Sequence, residues 1–154
     1  MSFDPSAVVL APGRGRVVRL PGHPYTFKAT RENTCGAYSL VEVTITGQGP
    51  PQHIHGAEEE AFYVLEGSVN IQLGEEVVHG RPGAFVIIPR GTVHTFWNAG
   101  PSPAKLLVIV SPPGMEDYLA EVIADQEIDT ATFVEKVTAV AHKYHMTIVG
   151  PPRG

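Results

Sequence analysis

The chain has one cysteine, one tryptophan, no apolar run longer than a strand, and fewer basic than acidic residues. Each scarcity excludes something. A single cysteine, Cys35, permits no internal disulfide, so it is read as a small apolar residue and given no function. Strand-length apolar runs leave no candidate transmembrane helix. The opening Met1-Ser2-Phe3-Asp4-Pro5 lacks the charged and apolar regions of a secretory signal, so a cytoplasmic protein is expected. With 11 basic against 16 acidic residues, a net charge of -5 and no basic stripe, neither nucleic acid nor membrane is an expected partner.

What the chain does have is glycine and proline, 16 and 14 of them, spread along its length in the manner of many short strands joined by tight turns. At 154 residues and 43% hydrophobic content, it suits a single domain over residues 1–154 with a proper core. Strands are expected around residues 15–20, 25–29, 37–46, 51–55, 60–66, 68–73, 76–79, 84–88, 93–98 and 104–110, after an arm near 6–11. So many antiparallel strands imply an all-β jelly-roll barrel. Pro112-Pro113-Gly114 breaks the sheet, and a C-terminal helical extension over about 115–145 follows. In it, Met115, Tyr118, Leu119, Val122 and Ile123 repeat at helical spacing. A second helix starts after Asp129, a good N-cap, with Phe133, Val137, Val140, Ala141 and Tyr144 on one face.

Chemistry concentrates in two framed stretches, Gly47-x5-His53-x-His55-x4-Glu60-x6-Gly67 and Gly83-x5-Pro89-x-Gly91-x2-His94-x3-Asn98. On a strand, His53 and His55 project to the same side and can reach one ion. Glu60 near the start of the next strand and His94 at the start of a third complete a mixed nitrogen and oxygen shell. The remaining histidines, His23, His79, His142 and His145, lack partners of that kind and read as surface side chains. Glu58 and Glu59 read as a solvated turn.

Both frames resemble the two motifs of the cupin superfamily, in spacing and in ligand type. The 15 residues between Gly67 and Gly83 suit a small one-barrel member. The flanks Tyr25 to Thr30, Gly36 to Glu42 and Leu106 to Ile109 are similar to those of quercetin-dioxygenase-like monocupins, so the resemblance covers about residues 16–114. Strand parity alone would allow Glu59 as the carboxylate ligand; the spacing in that family selects Glu60.

The ligand set suits one divalent transition metal ion, among iron, nickel, manganese, cobalt, copper and zinc, with coordination positions left open for substrate. By alternation Phe62, Val64 and Phe96 share the interior with the ligands, and Met115 and Tyr118 would cap the mouth. A flat, weakly charged small-molecule substrate is expected. The resemblance implies a dioxygenase acting on a phenolic or enolic compound, with Glu60 also serving as the catalytic base. Isomerase, cyclase or lyase chemistry is the alternative, favoured if a second inward acid or base stands near the metal, and non-catalytic binding or sensing is a third. The resemblance also implies a homodimer, formed by pairing N-terminal strands or packing sheets, for which residues 6–20 are available.

Overall fold

The computed structural model describes residues 7–123 and 129–154. Eleven strands are seen in it: β1 (Arg16–Val18), β2 (Tyr25–Ala29), β3 (Ser39–Ile45), β4 (Gln52–His55), β5 (Glu59–Glu66), β6 (Val69–Leu73), β7 (Glu76–Gly80), β8 (Phe85–Ile88), β9 (His94–Asn98), β10 (Ala104–Ser111) and β11 (Met146–Gly150). They form two antiparallel sheets, one ordered β1-β2-β3-β10-β5-β8 and the other β11-β4-β9-β6-β7. The Met1 to Pro5 stretch and Ser6 of the expected arm lie outside the described residues. The rest of the arm, Ala7 to Ala11, has no regular structure and leaves Val8, Val9 and Leu10 exposed.

Alternation explains the architecture. In β3 every second residue is buried, from Ser39 through Val41, Val43 and Ile45, and β10 repeats the pattern with Leu106, Val108 and Val110. These faces meet Phe62, Val64, Val69 and Ile71 of the neighbouring strands in one core. Each large apolar side chain so buried contributes about 1.5–3 kcal/mol. Outward positions of β3 and β10 carry Glu42 and Lys105, whose side chains approach to 3.6 Å, with Glu66 beside the same lysine.

All ten expected strands are present, with ends shifted by up to two residues. The first is shorter than expected because Leu20 turns inward and its carbonyl accepts from the His23 N–H, closing a turn at Pro21-Gly22. The eleventh, β11, was not expected. The 3-10 turn Ala141–Tyr144 ends at His145, whose φ of 55° is left-handed, and the chain then runs antiparallel to β4 with Ile148 opposite His53 and Met146 opposite His55.

The two helices stand close to expectation: α1 spans Met115–Ile123, and α2 spans Thr130–Val140 with the Asp129 carboxylate accepting from the Thr132 N–H at 2.8 Å. α1 is pinned to the barrel by buried Glu116, which accepts from the Ser39 hydroxyl and from the Arg31 N–H at 2.7 Å. Burial alone would raise the pKa of Glu116, but these bonds outweigh it and lower it. Glu121, at the other end of α1, accepts from the Tyr144 hydroxyl at 2.7 Å and pairs with Lys143. No helix among the described residues is long and apolar enough to cross a membrane.

Cys35, given no function, is exposed with a left-handed φ of 52° in the turn between β2 and β3. The expectation for one histidine is corrected. His23 is 1% exposed, enclosed by the rings of Tyr25 and Phe133 at 5.7 and 5.6 Å. It reads as a surface residue from its turn neighbours because its cover, α2, lies far along the chain. His79 and His142 are exposed, as expected, and so is His145.

Candidate metal centre

His53, His55, Glu60 and His94 are all buried, and each offers a ligand atom within 4.8 Å of the others. The three imidazoles come from one sheet. His53 and His94 are partners in the β4–β9 ladder with ring centroids 4.2 Å apart, and His55 stands two residues along β4, on the same face. Glu60 reaches them from β5 in the opposite sheet, where it sits between Val110 and Ile88. The carboxylate is therefore supplied from across the barrel rather than from an adjacent strand, because β4 and β5 diverge after the turn at Gly56-Ala57 into different sheets. A centre placed this way ties the two sheets together.

The imidazoles are aimed by their outer nitrogens. Nδ1 of His53 donates to the Pro51 carbonyl at 2.7 Å, and Nδ1 of His94 to the Thr92 carbonyl at 2.9 Å, each two residues back along the chain. Both bonds turn Nε2 toward the centre, as a metal-binding histidine requires. Nε2 of His94 lies 2.8 Å and Nε2 of His55 3.4 Å from the same Glu60 oxygen. The His55 Nε2 is buried without a hydrogen-bond partner. Three inward nitrogens, one of them unpartnered, around one carboxylate fit a divalent cation.

Two local features position the strands. Gly49 lies so close to β9 that a Cβ there would meet the Phe96 carbonyl oxygen at 1.7 Å, whereas the frame glycine Gly47 has open space around it. Gly91, at a left-handed φ of 80°, donates its N–H to the His55 carbonyl at 2.9 Å and fastens the β8–β9 turn to β4.

The electrostatics match the geometry. Burial would raise the Glu60 pKa, but His55 and His94 hold the carboxyl well below the usual range. Burial would lower that of His55, yet Glu58 and Glu60 push it up to about 9. Burial, reinforced by the charges of His94 and His55, lowers that of His53 well below 6.5.

Glu58 was missed. Its Oε2 is 3.5 Å from His55 Nδ1, the side chain is only 15% exposed, and that oxygen has no hydrogen-bond partner. It lines the cavity above the centre, so it is not a solvated turn residue; Glu59, exposed and 3.4 Å from Arg90, is. The signal available was slight, since the reach of Glu58 depends on the turn that folds β5 back over His55.

The cavity walls are Tyr25, Pro50, Pro51, Phe96 and Val110, and the roof comes from the C-terminal extension through Met115, Tyr118, Leu119, Phe133, Val137, Tyr144, Met146 and Ile148. Phe96, Met115 and Tyr118 thus stand at the cavity. Phe62 and Val64 lie behind it in the core, with Phe62 packed edge-on against Phe96 at 5.3 Å. No lysine or arginine is among the lining residues.

Fold and cluster together define a small β-barrel protein built around a candidate metal site. Residues 40–110 match the Cupin_2 family, described as a cupin domain. Protein SchB of Streptomyces halstedii is 30% identical over 119 residues, covering 77% of this chain and 82% of SchB. The chain belongs to the cupin superfamily. Quercetin 2,3-dioxygenase of Bacillus subtilis is 27% identical over 93 residues, covering 57% of this chain and 26% of that protein. Among solved structures, the polyketide cyclase RemF from Streptomyces resistomycificus superposes with a TM-score of 0.59 at 24% identity, over 68% of this chain and 78% of RemF, a likeness of fold.

Proposed function

We propose that the protein is a metal-dependent enzyme that binds an enolisable or phenolic, largely apolar small molecule and moves protons on it, as a cyclase, dehydratase or isomerase does. The observation that carries this reading is Glu58, a second carboxylate at the cavity beside the four-residue centre, whose buried Oε2 stands 3.5 Å from His55 Nδ1 and makes no closer hydrogen bond. A bound divalent ion supplies a Lewis acid that polarises a carbonyl or enol oxygen. Glu60 is held ionised by His55 and His94, and that balances part of the cation's charge. Glu58, whose carboxylate faces the cavity beside the outer nitrogen of His55, is placed to take a proton from a carbon next to the polarised oxygen. The apolar roof lowers the dielectric around both carboxylates, which strengthens their fields.

Oxygenation is the second reading, supported by the apolar lining and the similarity to quercetin 2,3-dioxygenase. There Glu60 would leave the centre to accept the substrate's hydroxyl proton, and Glu58 would be dispensable. Turnover of enolisable ketones and polyphenols by the metal-loaded protein under nitrogen separates the two. The first reading expects turnover without oxygen and at least a hundredfold loss in Glu58→Gln, the usual weight of a positioned base. Activity that requires oxygen and survives Glu58→Gln refutes it in favour of the second.

A further inference from the structure

We propose that Tyr25 and Tyr118 form an oxygen-recognition subsite in the cavity, so that the substrate carries a second oxygen function besides the one presented to the metal centre. The inference rests on the reading above and narrows its substrate class to flat compounds oxygenated at two places.

The two phenols come from distant parts of the chain. Tyr25 opens β2 and points inward opposite Val43, while Tyr118 descends from α1. They are 5% and 7% exposed, and both line the cavity. Neither hydroxyl is sealed in the core, both residues face the cavity, and the charge of Glu60 also acts on Tyr25. Tyr144 differs, because its hydroxyl is spent on Glu121 outside the cavity.

A tyrosine hydroxyl in an otherwise apolar surround normally finds a hydrogen-bond partner. Two tyrosines lining one apolar cavity next to a carboxylate are explained if a ligand supplies the acceptor. Burial raises both pKa values, so each phenol keeps its proton and serves as a donor across the physiological range. The partner they select is accordingly a carbonyl, enolate or phenolic oxygen, not a cation. With no lysine or arginine in the lining, a carboxylate or phosphate has no counter-charge there.

The test uses zinc-loaded full-length protein and two probes that share one metal-binding head, 3-hydroxyflavone and quercetin, the second bearing extra ring hydroxyls. Calorimetry on wild type should show quercetin bound about tenfold more tightly, the size of one to two net hydrogen bonds. Tyr25→Phe with Tyr118→Phe should bring that ratio near unity while the affinity for 3-hydroxyflavone and the zinc content stay as in wild type. The metal-free double variant should melt at the wild-type temperature or above, because the lost hydroxyls had no partner in the protein. A wild type with no preference, a preference that survives the substitutions, or a lowered melting temperature each overturns the subsite. Binding selectivity decides the subsite and turnover the enzymatic reading, so selective binding without any activity would refute the enzymatic reading alone.

Discussion

At the scale of single residues, position in the motif and fate in the fold part company in an instructive way. His53, His55 and His94 were legible because strand period and turn residues are local facts, and the outer nitrogens of His53 and His94 are satisfied by carbonyls only two residues away. Glu58 and His23 were not legible, since what surrounds each is set by chain segments that local pattern does not pair with them. For His23 the consequence is measurable. Burial lowers its pKa from 6.5 to about 4, against the smaller effect of the Pro21 carbonyl, and neither ring nitrogen has a hydrogen-bond partner. The unfolded chain then takes up this proton before the folded one. Stability is therefore full above pH 6.5 and declines as pH falls toward 4, by about 3 kcal/mol at most. In His23→Leu, urea unfolding should show a flatter decline over that window and wild-type or greater stability at pH 7. A decline as steep as the wild type's would mean that the imidazole is not sealed under α2.

Among elements, strands reveal themselves more readily than their partners. β3, β5 and β10 declare their inward faces by alternation, and the helices by their apolar spacing and the Asp129 cap. Sheet membership is a non-local property, which is why Glu60 proved to approach from the opposite sheet and why β11, only Met146–Gly150, went unseen behind the helical pattern before it. The same non-locality separates two glycines. Gly49 sits where β4 is entered, and the atom a Cβ would strike is a backbone oxygen of β9, which cannot swing aside. Gly49→Ala is expected to lower unfolding free energy by roughly 2 kcal/mol or more and to weaken metal retention by shifting β4 against β9. Gly47→Ala, with nothing within 4 Å of its Cβ, should change little. Thermal unfolding of the pair with and without metal checks both; equal melting temperatures would show that the β4–β9 approach does not depend on Gly49.

The whole molecule is a two-sheet barrel roofed by its own C-terminal extension, with a ligand-ready centre joining the sheets beneath. The family match at residues 40–110 covers the metal ligands and Glu58, whereas Tyr25, Met115, Tyr118 and Phe133 at the cavity fall outside it. The candidate ligands and Glu58 therefore lie inside the family's matched segment, and these four cavity residues outside it. The proposed chemistry and the proposed subsite both require that four side chains hold one ion. The most direct test is the metal content of purified protein by elemental analysis, alongside its melting temperature in metal-replete buffer. Wild type should carry one divalent transition metal ion per chain, and His53→Ala, His55→Ala and His94→Ala should each lose most of it and melt lower, because binding to the folded state adds to its stability. Equal metal content and equal melting temperatures in all four proteins would contradict the account.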